Sequence, residues 1–228
     1  MRDRPPIPFD AVPVLASLSP PERAALAPLC ELAAFEKGAT IFREGDPADR
    51  IYFLFLGRVK IVKAGPGRDL ILEILGPGEP VGAVAAFERR PFPASAVAIE
   101  PSGLIAIPET AFFQLIEKRP AITRALLAGL TLRLMSLNRR LADMTGSVEY
   151  RTARLFSTLA ARLGQPREVG VFVPLPLARQ EIADLVGTTI ETAIRVMSRW
   201  QKDGIVETEA KGFRIPDLEA LHAIAPEE

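Results

Sequence analysis

The chain has 228 residues, 48% of them hydrophobic, which is enough for packed cores in one large or two ordinary domains, and two is the better prior. Lys and Arg number 28 against 28 Asp and Glu, so no basic excess advertises a polyanionic partner, and any nucleic-acid contact must come from a local face. The single cysteine, Cys30, excludes an intrachain disulfide and a four-cysteine iron-sulfur cluster, while the single histidine, His222, leaves Ser-His-Asp, Cys-His and Cys/His zinc sites short of members.

No nucleophile and base are assembled in the sequence, so neither an enzyme nor a metal site is expected, and His222 reads as a surface residue. The start, Met1-Arg2-Asp3-Arg4-Pro5-Pro6, lacks the apolar run of a signal peptide, and no later stretch stays apolar long enough to span a bilayer. A soluble cytoplasmic protein without a membrane partner is the expectation.

Ser19-Pro20-Pro21-Glu22 reads as a helix start: serine caps, proline suits the first turn, and Glu22 reaches back as the capping-box acid. The helix is expected to run to about Leu32. From Ala33 to Ile107, short apolar runs alternate with Gly38, Gly45, Gly57, Gly65, Gly67, Gly76, Gly78, Gly82 and Gly103, the rhythm of an antiparallel sheet with tight turns. Its clearest strands are Arg50 to Phe55, Val59 to Val62 and Leu70 to Leu75, rich in β-branched and aromatic residues, and strands of this length suit a roll or barrel.

After Pro120 the pattern becomes helical. Leu127, Leu130, Leu134, Leu137, Leu141 and Met144 are spaced alternately by three and four, an a/d stripe flanked by Arg133, Asn138, Arg139, Arg140 and Asp143. Two readings are open, a helix lying on its own domain's core and a helix that pairs with a second copy of itself. The narrowness and length of the stripe favour self-pairing, with burial of each leucine contributing on the order of 1.5–3 kcal/mol.

An amphipathic helix over about Val148 to Leu163, ending at Gly164, opens the last segment. In residues 178–202, ARQEIADLVGTTIETAIRVMSRWQK, a short helix stops at Gly187 and a second starts at Thr188 or Thr189, which is helix-turn-helix spacing. Ile182, Val186, Ala193 and Val196 fall where the two helices must bury side chains against each other, and Trp200 reads as core. Gly204-Ile205-Val206 through Phe213-Arg214-Ile215 reads as a hairpin, the wing, with Lys211-Gly212 at its turn.

Here the chain resembles the Crp/Fnr superfamily, the cyclic-AMP receptor protein and the oxygen-sensing Fnr regulators. The likeness rests on RQEIADLVGTTIETAIRVMSRWQKDGIV, on Phe35-Glu36-Lys37-Gly38 through Ile41-Phe42-Arg43-Glu44-Gly45-Asp46, on Gly57-Arg58-Val59-Lys60, and on the leucine-striped helix. It implies an α+β fold: an N-terminal β-roll (a cyclic-nucleotide-binding-like jelly roll) over 1–119, a long dimerisation helix and hinge over 120–146, and a C-terminal winged helix-turn-helix over 147–228. It further implies a homodimeric transcription regulator that binds a palindromic promoter site on double-stranded DNA and meets RNA polymerase. A rival is an effector-binding module whose winged helix mediates protein interaction, since the same fold serves that class.

Carried over by position, the resemblance implies that Glu191 and Arg195 read base edges in the major groove, the acid accepting from cytosine and the guanidinium donating to guanine. Glu191 has a second reading, as the acid of a capping box begun by Thr188; Arg195 lies four residues on, where a pair with Glu191 would order the guanidinium for bidentate contact, and its other reading is a free surface arginine. Ile190 stands where the cyclic-AMP receptor protein's pattern has arginine and Fnr-like members have a small apolar residue, which implies TTGA-like half-sites with Ile190 on a thymine methyl. Arg179, Gln180, Thr188, Thr189, Arg199 and Lys211 are expected at phosphates, positioning rather than specifying.

In cyclic-nucleotide-binding relatives the roll carries a Gly-Glu pair for ribose and an Arg-Ser pair for phosphate. This chain has Ala83 and Ala94 in place of the acid and the arginine, so cyclic AMP is not expected: a buried phosphate without its cation is costly. Gly82, Val84, Phe87, Ser95 and Val97 are the candidate lining of a different, apolar pocket, along with Phe92. Haem or a small apolar effector would suit it, although His222 is badly placed as an axial ligand. Packed core with no cofactor is the competing reading.

Overall fold

A computed structural model describes residues 5–65 and 69–226, without the side chains of Arg139 and Arg140. Gly67, those two arginine side chains and the segment Met1 to Arg4, all singled out above, lie outside the described residues. The chain parts into two compact units, Met1–Leu132 and Arg133–Glu228.

The first unit opens with α1 (Pro13–Ala16) and α2 (Pro20–Leu26). The Ser19 backbone N–H and hydroxyl both donate to Glu22 Oε2, at 2.8 and 2.5 Å, closing the helix start as its sequence predicts. The helix is shorter than expected. It ends at Leu26 and passes into a 3₁₀ turn over Ala27–Leu29, because Pro28 has no N–H to continue the ladder and its ring crowds the preceding turn.

The strands follow as β1 (Glu31–Phe35), β2 (Thr40–Phe42), β3 (Arg50–Leu56), β4 (Val59–Lys63), β5 (Leu70–Leu75) and β6 (Pro80–Val81), then helix α3 (Ala83–Glu88), then β7 (Ser95–Ala98) and β8 (Ser102–Pro108). They form two antiparallel sheets, β1-β8-β3-β6 and β2-β7-β4-β5. Residues on a strand alternate faces, and β3 and β8 are apolar on both. Ile51, Phe53, Ile105 and Ile107 join a cluster with Leu15, Leu26, Phe112 and Ile122 from the helices. Leu54 and Leu104 point the other way, into a second cluster with Phe42, Val59, Leu75, Ala96 and Phe92. The first sheet is thus sandwiched between helices and the second sheet.

Helix α4 (Glu109–Lys118) follows, and then the long α5 (Pro120–Asp143), whose first half ends this unit and whose second half opens the next. Ile122 is fully buried in the helical cluster and Leu126 packs against it. Beyond them the stripe Leu127, Leu130, Leu134, Leu137, Leu141 and Met144 is left largely open to solvent, every member being between 42% and 65% exposed. Among the described residues no helix is long and apolar enough to cross a membrane.

The second unit contains α6 (Val148–Leu163), β9 (Gln165–Pro166), β10 (Val171–Val173), α7 (Arg179–Val186), α8 (Ile190–Asp203), β11 (Glu207–Glu209), β12 (Gly212–Ile215) and α9 (Leu218–Ile224). Its sheet runs β11-β12-β10-β9, and the β11–β12 hairpin is the wing. Ser147 caps α6 by accepting from the Tyr150 N–H at 3.1 Å.

One ion pair ties α2 to the start of α5. Arg119 donates through Nε to Glu22 Oε1 at 2.5 Å and through Nη2 to Glu22 Oε2, and both side chains are about one-third exposed. The Arg119 guanidinium, with the Ser19 hydroxyl and N–H, holds the Glu22 carboxyl down from its ordinary 4.5 to about 2. A depressed folded-state pKa contributes stability that is present above the unfolded value and lost as pH falls toward the folded one. Glu22→Gln should therefore lower the urea midpoint at pH 7, and the gap to the wild type should close between about pH 4.5 and pH 2 in a denaturation series.

Candidate nucleic-acid interface

Helices α7 and α8 are joined by a turn of three residues. Gly187 closes α7 in the left-handed region, φ +72°, where its missing Cβ removes the steric penalty, and the Thr188 N–H donates to Ala183 O at 2.9 Å. Thr189 caps α8, its hydroxyl oxygen accepting from the Thr192 N–H at 3.4 Å. The residues that spacing predicts for the interhelix core, Ile182 and Val186 of α7 with Ala193, Val196 and Trp200 of α8, are buried, and Ala183 and Met197 are buried with them. Phe156 of α6 meets Trp200 edge-on at 6.3 Å and Phe213 of the wing at 5.1 Å. The Trp200 indole N–H donates to Glu149 Oε1 at 3.1 Å, so the ring is buried with its polar group satisfied.

With one face of α8 committed inward, the other carries Glu191 and Arg195, both exposed, with Ile190 half-buried at the first turn. Hydrogen bonds from its own backbone N–H and from the Thr189 hydroxyl hold the Glu191 carboxyl below the ordinary glutamate value. It is ionised at neutral pH and offers only acceptors, the chemistry that a cytosine amino group requires. The acid therefore helps to close the helix start, but through Thr189 rather than Thr188. Among the described residues no ion pair takes up the Arg195 guanidinium, and the (i, i+4) pair with Glu191 is not made in the unbound chain.

The residues expected at phosphates divide. Lys211 is exposed at the tip of the wing, Thr189 is exposed, and Thr188 is half-buried in the turn. Gln180 donates through Nε2 to Asp184 Oδ1 at 2.8 Å, satisfying a buried carboxylate. Arg199 pairs through Nη2 with Glu149 Oε1 at 2.6 Å, an acid that offsets part of the charge it offers a phosphate. Arg179 donates through Nη2 to Thr208 Oγ1 on β11 at 2.7 Å, and partial burial pulls its pKa down. The Thr208 N–H donates in turn to Gln201 Oε1 of α8 at 2.6 Å. Thr208 thereby links the wing to both helices. Sequence spacing gave no sign of Thr208, Gln201 or Glu149, whose partners are brought near only by the fold.

In the first unit the candidate effector residues are not brought together. Gly82, at φ +79°, precedes α3, and a Cβ there would lie 2.5 Å from Phe92 Cε1 and 3.1 Å from Phe42 Cε1. Those two rings stack at 3.7 Å between centroids and fill the space between the sheets beside Ala85 and Ala96. Val84 and Phe87 lie on the exposed face of α3, where Phe87 meets Phe113 edge-on at 5.1 Å. On β7, Ala96 and Ala98 are buried, as is Ala94 just before it, so Ser95 and Val97 take the opposite face, and Ser95 Oγ accepts from the Glu44 N–H at 3.0 Å. Ala94, where the resemblance would place a phosphate-binding arginine, is 4% exposed.

Residues 32–119 match the cyclic nucleotide-binding domain family, and residues 150–224 match the Crp-like helix-turn-helix domain family. A CRP-like cAMP-activated global transcriptional regulator of Mycobacterium tuberculosis is 33% identical over 210 residues, covering 91% of this chain and 94% of that protein. The transcriptional activator protein anr of Pseudomonas aeruginosa is 29% identical over 197 residues, covering 83% and 78%. The structure of the c-di-GMP responsive global regulator CLP of Xanthomonas campestris aligns with a TM-score of 0.74 at 25% identity, covering 87% of this chain and 100% of that one.

The turn geometry yields a direct expectation. A Cβ at Gly187 meets nothing within 4 Å, so Gly187→Ala adds backbone strain without a clash. Left-handed strain of roughly 1–2 kcal/mol, offset by up to about 1 kcal/mol from a stiffer unfolded chain, leaves the variant destabilised by about 1 kcal/mol in urea titrations. Gly187→Asn should recover part of the loss, since asparagine tolerates this region.

Proposed function

Because the chain belongs to the Crp/Fnr family of transcription regulators, we propose that it acts as a homodimer on a palindromic promoter site with TTGA-like half-sites. The observation that carries this reading is the outward face of α8, where an ionised acid and an unclaimed guanidinium stand one helical turn apart. Glu191 accepts from the cytosine and Arg195 donates to the guanine of one G·C pair, while Ile190 packs on a thymine methyl. Thr188, Thr189 and Lys211 meet phosphates; Arg179, Gln180 and Arg199 meet them through N–H donors beyond those that now hold Thr208, Asp184 and Glu149. The even charge balance implies modest, salt-sensitive affinity.

The exposed leucine stripe of α5 supports self-pairing, since six large apolar side chains in water on one narrow line favour burial against an equivalent line. The two reading helices then address half-sites about one DNA turn, roughly 34 Å, apart. The effector is something other than cyclic AMP, or there is none: Ala83 and Ala94 supply neither an acid nor a cation, and the Phe42–Phe92 stack occupies the interior beside Gly82. A cytoplasmic location and contact with RNA polymerase complete the reading.

Binding-site selection from a random duplex pool, followed by anisotropy titration, tests it. The selected site should be an inverted repeat, Arg195→Ala should lose about 1–3 kcal/mol and relax one base pair, and Leu134→Arg should sediment as a monomer. A pool without a palindrome, or a dimer that survives Leu134→Arg, overturns the proposal.

A further inference from the structure

We infer that Thr208 is a positioning residue for DNA binding: its hydroxyl holds the Arg179 guanidinium in place for a backbone phosphate and leaves the charge of that guanidinium intact. The inference rests on the reading of Arg179 as a phosphate contact and adds to it the group that presents the arginine.

Three elements meet at this one threonine. Thr208 is the middle residue of β11, the edge strand of the C-terminal sheet, and across the hairpin it pairs with the buried Phe213. Its N–H donates to Gln201 Oε1 of α8 at 2.6 Å, and its Oγ1 accepts from Arg179 Nη2 of α7 at 2.7 Å. The hydroxyl is therefore carried on a backbone fixed from two sides. Arg179 is the first residue of α7, where free N–H groups and the helix dipole favour an anion. Its guanidinium carries its N–H donors in a rigid fork, so spending one of them on Thr208 orients the rest for phosphate oxygens.

The chemistry of the acceptor matters as much as its place. A carboxylate there would order the guanidinium but cancel its charge, as Glu149 does in part for Arg199. The two acids that flank Thr208 are turned to another cation, since Glu207 and Glu209 both reach Arg214. A neutral hydroxyl orders without neutralising. An untethered arginine must surrender its rotamer freedom when it meets DNA, whereas a tethered one has surrendered most of it beforehand. Thr208 is exposed, so no packing role calls for threonine, and valine would suit the strand as well.

Anisotropy titrations on the selected duplex over a range of salt test this with two variants. Thr208→Val removes the hydroxyl and keeps the β-branched shape; Thr208→Ser keeps the hydroxyl. Thr208→Val should weaken binding about three-fold per half-site, roughly nine-fold for the dimer, as expected for one freed long side chain in each subunit. Its salt dependence should match the wild type, because the charge is still present, whereas Arg179→Ala should flatten the slope of log K against log salt by about 0.9 per half-site. Beside Arg179→Ala, adding Thr208→Val should cost nothing further, and Thr208→Ser alone should keep most of the affinity. The inference fails if Thr208→Val binds like the wild type, if its loss persists undiminished beside Arg179→Ala, or if Thr208→Ser binds no better than Thr208→Val. It fails too if Arg179→Ala changes neither affinity nor slope. In that last case a loss of binding with Arg195→Ala leaves the DNA-reading assignment of α8 standing, and the absence of such a loss overturns that assignment as well.

Discussion

The C-terminal unit depends on how α8 is rotated about its own axis. Trp200 is fully buried between Phe156 and the interhelix core, and its indole N–H is fixed by Glu149, so the ring tolerates little rotation. Ala193, Val196 and Met197 point the same way. Turning the helix by one residue would drive Arg195 toward that core, and burying an unpaired guanidinium is far costlier than exposing an isoleucine. The inward packing therefore decides which side chains remain outside. The small residues Ala183 and Ala193 allow the helices to approach, and Thr208 fastens the wing to both.

The N-terminal unit has a different constraint. Its first sheet is apolar on both faces, with helices on one side and the second sheet on the other. Phe42 and Phe92 stack in the second of these layers, and Gly82 is glycine because any larger residue would meet their rings. An effector entering there would have to displace a packed aromatic pair.

Where periodicity is strong, the sequence and the structure agree closely. The bounds of α6 and β5, the Gly187 turn and the burial of Ile182, Val186, Ala193 and Val196 could all be read from spacing, since each depends on neighbours no more than four residues away. Glu22 was legible as a capping acid, yet its bond to Arg119 joins residues 97 positions apart and has no local signature. The same holds for Glu149, which holds Arg199 and Trp200, and for Arg179 with Thr208. The two arginines offered to phosphate, Arg179 and Arg199, thus each already hold a partner, a fact only the fold reveals. The overlong α2 came from giving helical periodicity more weight than Pro28 allowed.

The central claim is that α8 enters the major groove of duplex DNA from each of two symmetry-related subunits. Methylation interference at guanine N7 on the selected duplex probes this directly, because that atom faces only the major groove and is the one a guanidinium grips. The account predicts interference at one guanine per half-site, the pair about one helical turn apart, disappearing with Arg195→Ala. Interference confined to a single half-site, or undiminished in that variant, would contradict it.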